Sequence, residues 1–389
     1  MTTGTLTVGL TGPDGFVGRH TALALQNADC TVVRLDRTAL SDPARLARLV
    51  ARCDTVVHLA GANRGDAAEV AATNVDLAWT LVRAFESARV APRVVYTSST
   101  QEEPAADGTI TSYGASKREA GDVLMDWARR KETVATSLTV PNVFGPGCRP
   151  FYNSVTATFC HLLARGEQPQ VQVDKDLELI FVGDLAAEIA DYVVAHPEET
   201  GRVRVYGELH ASVSELLEEL TTMSRGYFAA GEVPDLSNEA RRQLFATFLS
   251  HIPAEAQRHD RVKHADARGD FVEVLKLREA GQVSFSTTRP GVTRGEHYHT
   301  RKFEWFCVVR GQAVIRIRAV GGTEVIEHTV DGSEPRFITI PPMHTHNITN
   351  VGSEELLTLF WISEQYDAED ADTFYEPVEA VEMPQRLAA

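Results

Sequence analysis

A serine, a tyrosine and a lysine in the first third of the chain have the types and spacing that hydride transfer requires. Tyr113 and Lys117 lie four residues apart, so on a helix their side chains share one face and the ammonium lies beside the phenol. A free phenol has a pKa near ~10, and a neighbouring positive charge favours its anion. Ser99, or alternatively Thr100, would hold a carbonyl or alcohol oxygen against the same phenol. We therefore predict a catalytic set of Ser99, Tyr113 and Lys117.

A glycine-rich turn near the N-terminus has the pattern of a site for the cofactor that this chemistry needs. The apolar run Thr5–Leu10 leads into Gly12, Gly15 and Gly18, and an apolar-periodic helix follows. In a dinucleotide site, glycines let the backbone approach a pyrophosphate and the helix N-terminus supplies N–H donors. Cofactor contacts are predicted here and after the third strand, at Gly12, Gly15, Phe16, Val17, Gly18, Leu59, Ala60 and Gly61, and also at Tyr113 and Lys117.

The end of the second predicted strand bears on which nicotinamide cofactor is bound. The strand Thr31–Leu35 ends at Asp36 and Arg37. A carboxylate here accepts a hydrogen bond from a ribose 2′-hydroxyl, whereas an arginine pairs with the 2′-phosphate of NADP. The two residues favour different cofactors. We choose NADPH, with NAD as the alternative.

The order of predicted elements indicates two folds in succession. Strands alternate with helices through the front of the chain, which predicts an α/β fold with a doubly wound parallel sheet, a Rossmann domain. The fourth strand, Arg93–Thr97, delivers Ser99 at its carboxyl end, the edge where open α/β sheets bind ligands. The rear of the chain has short alternating strands separated by Gly and Asp, which predicts an all-β barrel or sandwich. We divide the chain into residues 1–256 and residues 257–389.

Composition narrows the partners and the location of the protein. The chain has 54 acidic and 38 basic residues, a formal net charge of −16, which argues against nucleic acid or an anionic membrane surface. Its 5 cysteines are odd in number and lack Cys-x-x-Cys spacing, as expected of reduced thiols in a cytosolic protein. No apolar window reaches ~18 residues, so we predict a cytoplasmic protein without a signal peptide or membrane span.

A second group of side chains, in the rear domain, has the types that bind a transition metal. His297 and His299 are two residues apart on a predicted strand, so both imidazoles lie on one face. Glu304 adds a carboxylate, and His344 or His346 adds a third imidazole. Three nitrogens and one oxygen suit Zn²⁺, Fe²⁺, Mn²⁺ or Ni²⁺. We predict a divalent metal site and choose zinc.

The front of the chain resembles the extended short-chain dehydrogenase/reductases, which act mostly on nucleotide sugars. The resemblance rests on the glycine turn, His58–Gly61, Asn74 and the set Ser99, Tyr113 and Lys117. It implies that Tyr113 is the acid/base, that Lys117 lowers its pKa and binds the nicotinamide ribose, and that Ser99 donates to the carbonyl oxygen. Asn74 is predicted to link the third and fourth strands by hydrogen bonds.

Three polar residues beyond the catalytic set are predicted to contact the substrate. Asn142 presents an amide toward the expected pocket, and Arg149 and Asn153 open a helix where a guanidinium and backbone amides can hold a phosphate. One departure from the family is Thr139-Val140, where many relatives carry an arginine.

The rear domain resembles the cupins. The stretch from Gly291 to Gly311, which contains His297, His299 and Glu304, matches the first cupin motif at every fixed position. The second motif matches at Pro341, His346 and Asn350, with Met343 where a glycine is usual, which implies that His346 is the fourth ligand. His344 then remains as a proton carrier for catalysis, with Tyr298 as the weaker choice. The segment 266–273 resembles the opening of the sugar-nucleotide 3,5-epimerases, which are themselves cupins.

The whole chain resembles the CapF/WbjC family of capsular and O-antigen precursor enzymes. The closest matches include His58–Arg64, Pro141–Gly145, Tyr152–Cys160, Gly291–His299 and Asp372–Tyr375. The resemblance implies a two-step enzyme on a UDP-linked 4-keto-6-deoxy-N-acetylhexosamine. The cupin would epimerise C3, and the reductase would then use NADPH to reduce the C4 ketone to a 6-deoxy-L-talose derivative. We expect a homodimer or a higher homo-oligomer.

Two other functions compete with this interpretation. In the first, the cupin domain only binds substrate or mediates oligomerisation, beside an active reductase or epimerase. In the second, the protein is an NADP(H)-sensing regulator with a cupin effector module. The intact set Ser99, Tyr113 and Lys117 argues against a regulator, because a sensor does not need a proton donor.

Overall fold

The computed structural model describes residues 5–105, 107–230, 232–260, 263–266, 269–272, 276–277, 282–364 and 369–379. They form two compact units. The first comprises Met1–Val155 and Val173–Val213, and the second comprises Thr156–Gln172 and Ser214–Ala389. Residues 156–172 and 214–256 therefore belong to the compact unit that contains the β-rich rear of the chain. The functional division at residues 256/257 stays a prediction.

The first unit is built on a six-stranded sheet in which every neighbouring pair is parallel, in the order β2-β1-β3-β4-β5-β8. The strands are β1 (Thr7–Thr11), β2 (Thr31–Leu35), β3 (Thr55–His58), β4 (Arg93–Thr97), β5 (Ala135–Thr139) and β8 (Gly201–Arg204). A second, three-stranded sheet contains β6 (Asn142–Phe144), β7 (Asp176–Phe181) and β9 (Leu209–Ser212). The predicted doubly wound α/β fold is confirmed.

Helices cover both faces of the large sheet. They are α1 (Phe16–Asn27), α2 (Arg37–Leu40), α3 (Pro43–Val50), α4 (Ala67–Ala88), α5 (Ser112–Arg130) and α7 (Val182–Ala195). On one face, α4 and α5 contribute Phe85 and Trp127, which pack against apolar strand residues. On the other, α1 and α7 contribute Leu25 and Ile189. Burial of apolar side chains on both faces is why the strands read as nearly continuous hydrophobic runs.

Helix α5 begins before the residues that the chemistry needs. Thr111 caps its N-terminus by accepting a hydrogen bond from the Gly114 amide at 2.9 Å. Tyr113 and Lys117 therefore both lie within the helix, as their spacing required.

The second unit contains three helices and two five-stranded antiparallel sheets. The helices are α6 (Val155–Leu163), α8 (Val213–Ala230) and α9 (Glu239–Ser250). One sheet has the order β11-β20-β17-β22-β15, with strands β11 (Arg258–Asp260), β15 (Gln282–Thr288), β17 (Glu304–Arg310), β20 (Arg336–Ile340) and β22 (Leu356–Ile362). The other has the order β19-β18-β21-β16-β23, with strands β16 (Thr293–Tyr298), β18 (Gln312–Ala319), β19 (Val325–Asp331), β21 (His344–Asn350) and β23 (Phe374–Tyr375).

An apolar core joins the two antiparallel sheets, with Ile315 and Ile348 from one sheet and Ile338 and Ile340 from the other. The predicted all-β fold of the rear of the chain is confirmed by these two packed sheets. Outside the sheets, β12 (Lys263–Asp266) pairs with β13 (Gly269–Val272), and β10 (Glu232–Val233) pairs with β14 (Lys276–Leu277). Among the described residues, every helix is too short or too polar to span a membrane.

Candidate active site and metal centre

A cavity of about 720 Å³ opens at the carboxyl ends of β1, β3 and β4. The strand order reverses beside β1, whose neighbours are β2 on one side and β3 on the other, and ligands bind at such a switch point. The structure brings most of the predicted site residues of the first unit together here. The cavity is lined by Gly12, Gly15, Phe16, Val17, Gly18, Leu59, Gly61, Ser99, Tyr113, Lys117, Asn142, Arg149 and Asn153.

Glycine is sterically required at two positions of this turn. Gly12 has a φ of +64°, in the left-handed region, and a Cβ there would lie 3.2 Å from the Ala60 amide nitrogen. A Cβ at Gly18 would lie 2.0 Å from the Gly12 carbonyl oxygen. Helix α1 follows with Gly15 at its N-cap, so no side chain caps its first turn. The turn can therefore receive an anion such as a pyrophosphate at the helix N-terminus.

A hydroxyl at the end of β1 organises the loop after β3. Thr11 Oγ1 accepts hydrogen bonds from the Leu59 and Ala60 amides, both at 3.0 Å, and lies 2.8 Å from His58 Nδ1. Burial, reinforced by the charge of Lys117, lowers the pKa of His58 to about 3. His58 is thus a neutral, packed side chain. Ala60, predicted as a cofactor contact, lies against Gly12 and not among the cavity-lining residues.

The two residues predicted to select the cofactor are placed outside the cavity lining. Asp36 caps α2, accepting hydrogen bonds from the Ala39 amide at 2.8 Å and from the Thr38 hydroxyl at 2.7 Å. Arg37 is the exposed first residue of that helix. An arginine that the sequence reasoning missed, Arg34, pairs with Asp14, a residue of the cavity wall, at 2.5 Å.

Tyr113 and Lys117 of α5 both line the cavity, but Lys117 is more deeply buried than Tyr113. Lys117 is buried, and its Nζ lies 4.5 Å from the centroid of the Tyr96 ring. Burial lowers the pKa of Lys117 to about 8, and Glu102 opposes that shift. Burial raises the pKa of the Tyr113 phenol, in contrast to the lowering expected from the sequence. The reason is that burial desolvates the phenol, while the Lys117 ammonium lies over a different ring.

Of the two candidate hydroxyls, the structure places Ser99 in the cavity wall. Ser99 caps the 3₁₀ turn Thr100–Glu102, where its Oγ accepts a long hydrogen bond from the Gln101 amide at 3.3 Å. A hydroxyl bound this weakly can turn its proton to a ligand oxygen. Among the described cavity residues, Thr100 is absent.

Asn74 ties a loop to a helix, and not one strand to another as predicted. Its Oδ1 accepts from the Ala62 amide at 2.8 Å, and its Nδ2 donates to the Ala62 carbonyl at 3.0 Å and to Ser116 Oγ at 3.1 Å. Asn74 therefore fixes the loop after β3 against α5. The difference arises because Asn74 sits in α4, whose buried face looks onto α5.

The predicted substrate residues line the cavity together with side chains that the sequence reasoning missed. Asn153 donates to the Asn63 carbonyl at 2.5 Å, and Arg64 donates to the Phe151 carbonyl. These bonds join the loop after β3 to the loop before α6. The missed cavity residues include Asp14, Arg19, Gln101, Tyr152 and Lys175. Lys175 immediately precedes β7, and a basic residue at a strand start carries no signal of its own in the sequence.

The four predicted metal ligands of the second unit lie together. His297, His299, Glu304 and His346 each present one ligand atom, and these atoms all lie within 4.8 Å of one another. Glu304 Oε2 is 2.9 Å from His346 Nε2 and 3.5 Å from His299 Nε2. These three atoms are buried and form no hydrogen bond with the described residues. Buried ligand atoms without hydrogen-bond partners, in a set of three nitrogens and one oxygen, fit a divalent metal.

The protonation states of His297 and Glu304 also suit a metal. Burial and the neighbouring imidazoles lower the pKa of His297 to about 4, which gives the neutral imidazole that binds metals. Burial raises the pKa of the Glu304 carboxyl, but the neighbouring imidazoles of His299 and His346 lower that pKa well below its ordinary value. The carboxylate is therefore ionised.

A segment near the C-terminus orients one of the ligands. The Asp372 carbonyl accepts from His299 Nδ1 at 2.5 Å, which directs Nε2 toward the cluster. The buried Asp372 carboxylate accepts from the Thr300 amide at 3.0 Å, the Arg301 amide at 3.1 Å and the Lys302 amide at 3.0 Å. Asp372 thus holds both the ligand and the backbone that follows it.

His344 and Tyr298, the two candidate proton carriers, have different surroundings. His344 precedes His346 by two residues in β21, and its Nδ1 lies 2.8 Å from the Pro342 carbonyl oxygen. Tyr298 stacks on Phe374 at a centroid distance of 5.4 Å, and burial raises its pKa to about 12. The environment of Tyr298 suits packing better than proton transfer.

Met343, which replaces a glycine in the second cupin motif, keeps the backbone conformation of a glycine. Its φ is +57°, and its amide donates to the His299 carbonyl at 2.8 Å. Part of the epimerase-like opening, namely residues 267, 268 and 273, lies outside the described residues.

Comparison with known proteins gives matches in both halves of the chain. Residues 8–207 match the NAD dependent epimerase/dehydratase family, and residues 264–374 match the polysaccharide biosynthesis C-terminal domain. The chain is 33% identical over 370 residues to the UDP-2-acetamido-2,6-beta-L-arabino-hexul-4-ose reductase of Pseudomonas aeruginosa. That match covers 94% of this chain and 97% of the relative.

Solved structures also match this chain, over most of its length. The capsular polysaccharide assembling protein CapF from Staphylococcus aureus is 30% identical, with a TM-score of 0.58, over 96% of this chain and 100% of CapF. RMD from Pseudomonas aeruginosa, solved with NADPH, shares the fold at 20% identity and a TM-score of 0.53, over 64% of this chain and 98% of RMD.

The cavity residues lie in the first matched region, and the four clustered ligands lie in the second. This chain is therefore a member of the NAD-dependent epimerase/dehydratase family, an extended short-chain dehydrogenase/reductase of the CapF type with a polysaccharide biosynthesis C-terminal domain.

Proposed function

We propose that this protein is a two-step enzyme acting on a UDP-linked 4-keto-6-deoxy-N-acetylhexosamine in polysaccharide biosynthesis. The cupin domain, residues 257–389, epimerises C3, and the reductase domain, residues 1–256, then reduces the C4 ketone to a UDP-N-acetyl-6-deoxy-L-talosamine-type product. The observation that carries the proposal is the convergence of Ser99, Tyr113 and Lys117 on the cavity that also contains the glycine turn. The reductase name of the Pseudomonas aeruginosa relative supports it.

The geometry of the first unit supports the reduction step. NADPH, when bound at the glycine turn, supplies the hydride for C4. Tyr113 gives its proton to the C4 oxygen, so the ketone becomes an alcohol, and Ser99 donates a hydrogen bond to the same oxygen. Lys117 supplies a positive charge to the same cavity and binds the nicotinamide ribose. Because the pKa of Tyr113 is raised, the phenol is present as the proton donor that reduction needs.

Cationic side chains of the cavity suit a nucleotide diphosphate. Arg149 and Lys175 line the cavity with Asn142 and Asn153, and a guanidinium can bind a phosphate through two parallel hydrogen bonds. We propose NADPH over NADH. Arg34 pairs with Asp14, a residue of the cavity wall, and so places an arginine near the expected position of the adenine ribose. These local charges matter because the whole chain is strongly acidic.

The epimerisation step is assigned to the second unit. A C4 ketone acidifies the C3 hydrogen, so removal of that proton gives an enolate, and its return on the opposite face inverts C3. His344 is our choice of base, because it lies two residues from the cluster and has a partner on Nδ1 that leaves Nε2 available. A metal, which we take to be zinc, would be held by His297, His299, Glu304 and His346 and would order the pocket.

A direct assay tests the proposed function. Purified protein should oxidise NADPH in the presence of the UDP-linked 4-keto sugar, and more slowly with the dTDP counterpart. Absence of NADPH oxidation with either sugar would refute the reductase. Metal analysis and light scattering of the same sample test the zinc and the predicted homo-oligomer.

The alternative function, a reductase whose cupin domain only binds substrate or mediates oligomerisation, differs in one measurable step. An active cupin should exchange the C3 hydrogen of the substrate with D₂O when NADPH is omitted. Retention of protium at C3 by the full-length protein would favour the non-catalytic cupin.

Replacing Asp372 by asparagine should weaken metal binding. An amide in place of one carboxylate oxygen loses acceptors for the backbone amides of residues 300–302, so the carbonyl that orients His299 shifts. We expect metal affinity to fall by about 10–100-fold, as measured by competition with a chelator. Asp370→Asn is the matched control, since Asp370 is exposed and pairs with Arg301. Equal affinities in the two variants would contradict the assignment.

A further inference from the structure

Glu102 is a buried carboxylate that the reaction described above does not use. It ends the 3₁₀ turn that follows Ser99, and it is 5% exposed. Its Oε2 accepts from the Ser98 hydroxyl, and its Oε1 accepts from the Thr139 hydroxyl at 2.8 Å and lies 3.4 Å from Arg202 Nε. All three partners are donors, so the pocket is built for the ionised carboxylate.

The turn that carries Glu102 lies directly against the catalytic helix. A Cβ on Gly114 would lie 1.7 Å from the Gln101 carbonyl oxygen and 3.0 Å from the Glu102 amide nitrogen. A side chain at Gly114 would therefore separate α5 from the turn. Lys117 lies one helical turn beyond Gly114, so the carboxylate and the ammonium are buried in the same part of the first unit.

The Lys117 ammonium is buried beside an aromatic ring. Its Nζ lies 4.5 Å from the centroid of the Tyr96 ring. A buried ammonium tends to lose its proton unless a negative charge lies near it. Burial lowers the pKa of Lys117 to about 8, and the charge of Glu102 raises it.

The other ionisable groups around Lys117 cannot supply that charge. Tyr113 on α5 and Tyr96 on β4 are neutral phenols, since burial raises the pKa of each. His58 on β3 is neutral, because burial lowers its pKa to about 3. Arg202 on β8 is positive and lies between two carboxylates, those of Glu102 and Asp122. The half-exposed Asp122 carboxylate lies 2.8 Å from Arg202 Nη2 and is therefore paired with that guanidinium.

We propose that Glu102 is a positioning residue of the reductase that keeps Lys117 protonated at the pH at which the C4 ketone is reduced. The inference rests on the proposed reductase function. Glu102 does not touch the substrate. It acts through Lys117, whose charge supports proton donation by Tyr113, and it is held for that task by Ser98, Thr139 and Arg202.

The test is the pH dependence of the reduction. Reduction requires the cationic form of Lys117, so kcat/KM falls as pH rises through its pKa. In Glu102→Gln the amide can still bond to Ser98 and Thr139, but the negative charge is lost. The alkaline limb should then move to lower pH by about one unit, as expected when a nearby opposite charge is removed. At pH 6, where Lys117 is protonated in both proteins, kcat/KM should agree within about twofold.

Glu103→Gln is the matched control. Glu103 follows Glu102 in the sequence, is half exposed and lies 3.4 Å from Arg204 Nε. Its substitution removes one negative charge, as Glu102→Gln does, but leaves the charge of Glu102 in place near Lys117. Its pH profile should match that of the parent protein. An unshifted limb in Glu102→Gln, an equal shift in both variants, or a uniform loss of activity across the pH range would overturn the inference.

Arg202→Gln provides a second variant with the opposite expectation. Removal of the guanidinium leaves Glu102 to act on Lys117 alone, so the alkaline limb should move to higher pH. An acid shift or an unchanged limb in Arg202→Gln would overturn the inference even if Glu102→Gln failed to fold. Failure of the parent protein to reduce the 4-keto sugar at any pH would instead refute the proposed function itself.

Discussion

Replacing Tyr113 by phenylalanine is expected to lower kcat for NADPH-dependent reduction by about 10²–10⁴-fold, the contribution of a positioned general acid. The phenol lines the cavity with Ser99 and Lys117, and burial raises its pKa, so at neutral pH it carries the proton that the C4 oxygen must receive. Phenylalanine keeps the ring and removes only that proton donor. The measurement is NADPH oxidation with the UDP-linked 4-keto sugar.

Cofactor binding separates this loss from damage to the fold. NADPH binding, followed by fluorescence titration, should be unchanged in Tyr113→Phe, because the contacts at Gly12 and Gly15 are made by backbone. Tyr192→Phe serves as the control, since Tyr192 lies on α7, outside the described cavity lining. Full activity of Tyr113→Phe would refute the role of Tyr113 as the proton donor, whereas a parent protein that binds NADPH without oxidising it would favour the NADP(H)-sensing regulator.

Replacing His346 by glutamine is expected to abolish stoichiometric metal binding. His346 is completely buried, and its Nε2 lies 2.9 Å from Glu304 Oε2 at the centre of the cluster. Loss of one of four ligands leaves an incomplete tetrahedral set, so metal content should fall from about one ion per chain to a trace. Elemental analysis after gel filtration measures it.

Stability should fall with metal content. Metal that binds only the folded state adds about 2.7 kcal/mol of stability at a free concentration of 100 Kd, and this contribution disappears in His346→Gln and in chelator-treated protein. His328→Gln removes an imidazole of the same unit outside the cluster and should keep both metal and Tm. If the parent protein contains no metal after metal-replete purification, the metal centre is refuted.

Short-range patterns in the sequence were sufficient to predict the helices and strands. They also predicted which side chains that are close in sequence lie on the same face of an element. The four-residue spacing of Tyr113 and Lys117 places both in α5, and the two-residue spacing of His297 and His299 places both in the cluster. Such periodicities are local properties of a helix or a strand, so they hold wherever the element is placed.

Those patterns could not predict contacts between segments that are distant in the sequence. Asp36, which reads as a ribose ligand at a strand end, is used to cap α2, because a carboxylate serves both purposes equally well in sequence. Asn74 bonds to Ala62 and Ser116, since the packing of α4 on α5 determines which groups lie within its reach. The Asp372 carbonyl, 73 residues from His299, has no side-chain signature at all.

The amino-acid sequence alone therefore determined the α/β and all-β halves of this protein, the glycine turn and most of the side chains that lie together at the cavity and in the His297, His299, Glu304 and His346 cluster. Only the tertiary structure decided that burial raises the pKa of the Tyr113 phenol, that the turn carrying Glu102 packs against α5 and that the Asp372 carbonyl orients His299. The physical reason is that desolvation and long-range hydrogen bonds depend on what surrounds a side chain in space, and residues far apart in sequence supply those surroundings.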